Sequence, residues 1–167
     1  MNQAVARRGD PDPVRLSRDV IDFLESGLSV ILGVVGPDGR ARAGRALAVR
    51  VLADGRLRLI YPEEGNAAII AAAAAAGPLA VTFSAPVSHR TIQIKGSSCQ
   101  PEEMDEQDRL ATDRQASTFA ATLEAIGYPP YFVNAFCRYS SAKLCVLSVL
   151  PQIAFEQTPG PGAGGSL

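Results

Sequence analysis

The apolar positions of this chain change their spacing several times, and each change marks a boundary between element types. Near the start, Val20, Phe23 and Leu24 recur at the three- and four-residue interval of a helix face. Ser17 is placed to cap that helix and Gly27 to end it, so the spacing predicts a helix over 16–26. Residues 28–35 (LSVILGVV) are rich in β-branched side chains and run into Gly36-Pro37-Asp38-Gly39, a strong turn sequence. A second strand is expected over 41–52, a turn at Ala53-Asp54-Gly55, and a third strand over 56–61. Two short turns in succession imply antiparallel neighbours, because parallel strands need long crossovers.

After Pro62 the pattern turns to alanine. Glu63 and Glu64 suit a helix N-terminus, the run over 67–76 favours helix, and Gly77-Pro78 ends it. Strands follow over 79–84 and 90–98, joined across Ala85-Pro86. The longest helix is predicted over 102–126. It opens with five acids between Glu102 and Asp108 and carries Leu110, Phe119, Leu123 and Ile126 as an apolar stripe. Pro129-Pro130 stops it, residues 131–136 add a short helical turn, and a last strand over 143–150 extends to 153–155. The expectation is therefore a mainly β fold with flanking helices, in which six antiparallel strands form a closed or half-closed barrel. The barrel domain spans 14–156, between a flexible polar arm over 1–13 and a flexible Pro/Gly-rich tail over 157–167.

Composition narrows the chemistry. In 167 residues, 47% are hydrophobic and 20% charged, which supports one packed core rather than disorder. The net charge of −1 favours neither a nucleic-acid nor a membrane partner. The longest uncharged apolar stretch, 67–76, has about half the length of a membrane span. The opening MNQAVARRGDPDP has no apolar segment like that of a signal peptide, so the expected location is the cytoplasm. Cys99, Cys137 and Cys145 form no C-x-x-C pair and read as packing residues. His89 is the single histidine, so no multi-histidine metal site exists and no metal is expected. What remains is a binding fold, or an enzyme whose chemistry an organic cofactor carries.

Between Arg40 and Arg58 stand six arginines against one acid, Asp54. Strand alternation places Arg45 on one face with Leu47, Val49 and Val51, and Arg50 on the other with Ala46 and Ala48. A guanidinium on an apolar face is a candidate holder of phosphate or carboxylate, with Arg50 nearby. Arg40, Arg42, Arg56 and Arg58 read as solvent-facing strand decoration, and the acidic opening of the long helix as a solvated end. Gly65-Asn66 is either an ordinary helix cap or a phosphate-binding turn. His89 reads as an exposed turn residue. Tyr128, Tyr131 and Tyr139 are either a stacking surface for a planar ligand or core and interface aromatics.

With these elements in order, the chain resembles the pyridoxamine 5′-phosphate oxidase-like family of FMN-binding split barrels over roughly residues 16–100. The carriers are SVILGVVGPDGRARAG, RALAVRVLADGRLRLIYPEEGNAA and PLAVTFSAPVSHRTIQIKG. The resemblance implies a six-stranded antiparallel split barrel, a homodimer, and two FMN molecules in grooves between the subunits. It implies that Arg45 and Arg50 end the flavin-contacting strand, that Leu47 and Val49 line the ring, and that Ile60 and Tyr61 contact it from the next strand. Asn66 falls at the phosphate turn, Thr91 at the position where the classical oxidase has a glutamine, and Gln93 two residues on, on the same face. Two departures stand out. Gly65-Asn66-Ala67 replaces the family's Ser-Arg-Lys, and the C-terminal Arg-Leu-x-Pro segment has no counterpart. Both separate this chain from the vitamin B6 oxidase itself. The resulting expectation is an FMN-dependent oxidoreductase acting on an unidentified small molecule, with no catalytic side chain assigned. The alternative is a non-catalytic protein binding flavin or haem, with His89, a cysteine or a tyrosine as the axial ligand.

Overall fold

The computed structural model describes residues 14–76, 78–139 and 143–167. The expected arm over 1–13 and Gly77 of the Gly-Pro stop lie outside these residues. Helix α1 (Arg18–Leu24) is capped by Ser17, whose Oγ accepts from the Val20 N–H at 3.3 Å. Strands β1 (Ser29–Val35), β2 (Ala41–Ala46), β3 (Ala48–Val51) and β4 (Leu57–Pro62) precede helix α2 (Ala67–Ala76). Then come β5 (Leu79–Ser84), β6 (Thr91–Glu102), α3 (Glu106–Ala125), α4 (Pro130–Cys137) and β7 (Leu144–Glu156). Among the described residues, no helix is long and apolar enough to cross a membrane.

All pairings among these strands are antiparallel, in the order β2-β1-β5-β6-β7-β4-β3. Seven strands stand where six were expected, because the strand predicted over 41–52 breaks at Leu47. Its two pieces form the two ends of the sheet, β2 on β1 and β3 on β4, so one bent segment curls the sheet into a half-barrel. The bend also reverses the inward phase. Gly44 and Ala46 pair with Leu32 and Val30 of the core, whereas beyond Leu47 it is Val49 that faces Leu59 and Leu147. Simple alternation across 41–52 therefore fails, and Arg45 and Arg50 both end up on the outside of the barrel wall.

The core is formed by the inward residues of β1, β4, β5, β6 and β7, with Ile69 and Ala73 of α2 packed against them. Helix α2 lies against β1, β2 and β6, and α3 against β3 and β4. A second cluster, Phe119, Leu123, Val133 and Cys137, joins α3 to α4. Helix α3 starts at Glu106 rather than 102, since β6 continues pairing with β7 as far as Glu102. Residues 157–167, expected as a flexible tail, turn back along β7. The Glu156 N–H donates to Gly165 O at 2.9 Å and the Leu167 N–H to Ala154 O at 3.0 Å.

Candidate ligand-binding site

The arginine-rich hairpin divides into two environments. Arg50 pairs with Asp105 at 2.9 Å and Asp108 at 2.7 Å, and its cross-strand neighbour Arg58 reaches the other Asp108 oxygen at 2.6 Å. Arg58 also bonds Glu102 and donates to the Glu103 carbonyl. Asp108 is fully buried and Arg58 only 7% exposed, so the solvent-facing reading of Arg58 fails, while the acidic helix opening is solvated at Glu102, Glu103, Asp105 and Glu106 but not at Asp108. Asp105 caps α3 in a reciprocal box with Asp108, which brings the carboxylates onto the arginines. Burial pushes the Asp108 carboxyl up, but Arg58, the Asp105 N–H and Arg50 outweigh it and hold the group at about 2. Arg50 is thus committed to two carboxylates of its own chain.

The outer edge of β3 is closed by side chains. Gln115 of α3 accepts from the Val49 N–H at 3.0 Å and donates to the Val49 carbonyl at 2.7 Å. Glu25 accepts from the Val51 N–H at 2.7 Å. Leu47 and Val49 are buried and present no surface to a ring. Ile60 is buried with Ala48 and Val146 beside Met104. Tyr61 lies in the main core, and burial drives its phenol pKa well above the ordinary value. Asn66 is buried and donates to the Pro62 carbonyl at 2.8 Å, so its side chain is turned inward rather than presented at an exposed phosphate turn.

Arg45, Thr91 and Gln93 share a different surface, the outer face of β2-β1-β5-β6. Sheet register places Arg45, Ile31, Thr82 and Gln93 in one row across it, and Ser29, Ser84 and Thr91 in the next. Gln93 donates to Thr82 Oγ1 at 3.2 Å and Thr91 to Ser84 Oγ at 3.1 Å. Small or apolar side chains at Gly33, Val35, Ala41, Ala43 and Ala80 continue the face, beside a groove of about 540 Å³.

The Ser29–Ser84–Thr91 row also lines a cleft of about 420 Å³ whose other residues include Phe119, Phe132 and Phe136 of α3 and α4. Tyr128, Phe132 and Phe136 follow at four-residue intervals and stack, with centroids 5.2 and 5.6 Å apart. Arg45 stands at the Phe136 end, its Cζ 4.0 Å from that ring and 5.4 Å from Phe119. Its Nη1 donates to the Phe136 carbonyl at 2.7 Å, while its Nε–H is buried without an acceptor. Burial lowers the Arg45 pKa. His89 also lines the cleft, in left-handed backbone conformation (φ 59°). Of the three tyrosines singled out from sequence, only Tyr128 reaches the cleft. Tyr131 is 78% exposed, and Tyr139 donates to Asp113 at 2.6 Å. The two phenylalanines were missed, although the 128/132/136 spacing was there to be read.

No protein-family profile and no characterised protein sequence matches the chain. Solved structures do. The tagged HupZ of Group A Streptococcus is 12% identical with a TM-score of 0.54, covering 90% of this chain and 100% of its own. An F420 reductase is 16% identical with a TM-score of 0.51, over 80% of this chain and 93% of that one. A Lactobacillus delbrueckii protein provisionally assigned as a pyridoxamine 5′-phosphate oxidase is 14% identical with a TM-score of 0.50, over 87% and 96%. At these identities the likeness is one of fold, and the fold is the split barrel.

Proposed function

We propose that this protein is a homodimeric split-barrel flavoprotein, an oxidoreductase that uses FMN on a small molecule. The observation that carries this reading is the outer face of β2-β1-β5-β6, where Arg45, Ile31, Thr82 and Gln93 align in one row on an open, largely apolar surface. Such a face suits a second copy of the chain, with a planar ring between the two. Two of the structurally similar proteins bear the names of redox enzymes, a reductase and an oxidase. When bound, FMN supplies hydride transfer at its ring N5. The chain's own contribution is positional: Gln93 and Thr82 offer amide and hydroxyl groups to a ring edge, and Arg45 offers a cation.

The phosphate grip implied by the resemblance does not fit these residues. Arg50 is held by Asp105 and Asp108, and Asn66 turns inward to Pro62. Among the described residues, Arg45 is the member of that set with no carboxylate partner. FMN retention is therefore expected to be weaker than a phosphate held by several cations would give.

A second reading, haem binding, is favoured by His89, which lines the aromatic cleft and has an imidazole to offer as axial ligand. An absorption spectrum of the freshly purified protein, with release of any chromophore and a light-scattering mass, separates the readings. A flavin spectrum from a dimer supports the first, and a Soret band the second. A colourless protein that takes up no added FMN removes the flavoprotein reading.

A further inference from the structure

We infer that the cleft between α4 and the end of the sheet takes a neutral planar aromatic molecule with a hydroxyl on its edge. As a binding site the cleft stands on its own residues, and as the place of the substrate it rests on the flavin reading above. Three walls define it. On the first, Phe132 and Phe136 lie nearly parallel, at an interplanar angle of 11°, and Tyr128 stacks on Phe132 at 21°. Tyr128 is 45%, Phe132 40% and Phe136 44% exposed, so each keeps apolar surface open to a ligand. Such a row takes a flat ring offset-stacked or edge-on better than an aliphatic one. The second wall is the hydroxyl row of Ser29, Ser84 and Thr91. Thr91 donates to Ser84 Oγ at 3.1 Å, whereas the Ser29 hydroxyl has no partner among the described residues.

The third wall is the turn over 85–89 together with Pro159. The His89 N–H donates to the Ala85 carbonyl at 3.0 Å, and the Thr91 N–H to Thr158 Oγ1 at 2.9 Å beside Pro159. Both parts are anchored by backbone groups, so the cleft is formed before a ligand enters and binding costs little ordering. Its volume of about 420 Å³ falls within the usual range of small-molecule sites.

Charge decides the polar group. Among the described residues lining the cleft there is no carboxylate, lysine or arginine, so a charged ligand would leave water without a buried counter-ion. Arg45 packs on the Phe136 and Phe119 rings but does not line the cleft. His89 lines it and is exposed, so water screens any charge it carries. A hydroxyl both donates and accepts, which matches a row of side chains that can do the same. That row adjoins the Arg45–Gln93 row on the same sheet face, which sets the cleft beside the surface assigned to the flavin.

The test is calorimetric titration of the full-length protein with 2-naphthol at neutral pH, where its hydroxyl is un-ionised. The comparisons are 2-naphthoate (the same ring with a charge) and decahydro-2-naphthol (a hydroxyl without an aromatic ring). Naphthol is expected to bind at least about tenfold more tightly than either. Phe132→Ala is expected to weaken it by about tenfold, and Ser29→Ala, which removes the unpartnered hydroxyl, by roughly threefold. Phe132 lies outside the cluster that joins α3 to α4, and if its loss still disturbs α4, Ser29→Ala on β1 decides. No naphthol binding, equal binding of naphthol and either comparison, or unchanged affinity in the folded variants would overturn the inference. Displacement of a bound flavin or haem by naphthol would also overturn it, by making the cleft the cofactor's own site. Visible absorption of the same samples keeps the two readings apart. Naphthol binding by protein that takes up no flavin sustains the site and removes the flavoprotein, and flavin without naphthol binding does the reverse.

Discussion

Gln115 holds Val49 by both of its backbone polar groups, accepting from the N–H at 3.0 Å and donating to the carbonyl at 2.7 Å. One carboxamide thereby does for β3 what a further strand would do, and it seals an edge that would otherwise template pairing with another chain. It also occupies the backbone groups of the strand that the family resemblance assigned to a flavin ring. The ligand surface proposed above lies instead on the outer face of β2-β1-β5-β6, where Arg45, Thr91 and Gln93 share one side of the sheet.

Gln115→Leu keeps much of the side-chain volume and removes both hydrogen bonds. It leaves a buried N–H and a buried carbonyl unpaired, at about 1–3 kcal/mol each. Denaturant unfolding should show a loss of about 3 kcal/mol with an unchanged m-value. A loss below about 1 kcal/mol would mean that water or another side chain satisfies Val49.

Asp108 sets a pH dependence. Its carboxyl is depressed from 3.8 to about 2 in the folded chain. A depressed folded-state pKa stabilises above the unfolded value and loses that contribution as pH falls through the folded one. The Asp108 share, about 2 kcal/mol by the usual conversion, should be complete above about pH 5 and disappear toward pH 2. Asp108→Asn should lower stability at neutral pH and flatten the profile in that acid range. Parallel profiles for the two proteins would show that Arg50 and Arg58 do not depend on this carboxylate.

Gly44 permits a close approach. A Cβ there would collide with the side-chain tips of Asn66 and Ile69 at the start of α2, which would have to shift away from β2. Gly44→Ala should lower the thermal midpoint by several degrees, consistent with the 1–3 kcal/mol typical of overpacking. Hydrogen exchange should quicken first in α2.

Much of the fold was legible because local signals agreed. Turn sequences after Val35 and Leu52, β-branched runs in β1 and β5, and the alanine run of α2 all match the structure. The break at Leu47 was not legible, since no Pro, Asn or Asp interrupts ARAGRALAVRV and the phase reversal arises only when the two ends of the sheet meet. The Arg58–Asp108 pair was hidden for a related reason: each charge looks solvated until β4 and the start of α3 are packed together. Five acids in seven residues facing an arginine-rich hairpin was the available clue. Of the candidate site, Arg45 was picked out by being a cation on an apolar strand face. Arg50 shared its spacing but not its surroundings.

Arg45 therefore carries the sharpest functional prediction. Its guanidinium caps the Phe136 end of the aromatic row, bonds the Phe136 carbonyl at 2.7 Å, and keeps one buried N–H without an acceptor. If the guanidinium meets the anionic part of FMN, one charge-assisted bond worth about 1.5–3 kcal/mol is at stake, roughly ten- to a hundredfold in Kd. Arg45→Ala should lower flavin retention by that factor, measured from visible absorption after dialysis, while the light-scattering mass stays that of a dimer. Arg45→Lys keeps the charge but loses the planar fork, and should fall between the two. Equal flavin content in all three proteins would exclude Arg45 from the site. A monomeric Arg45→Ala would instead show that its contact with Phe136 shapes the subunit interface.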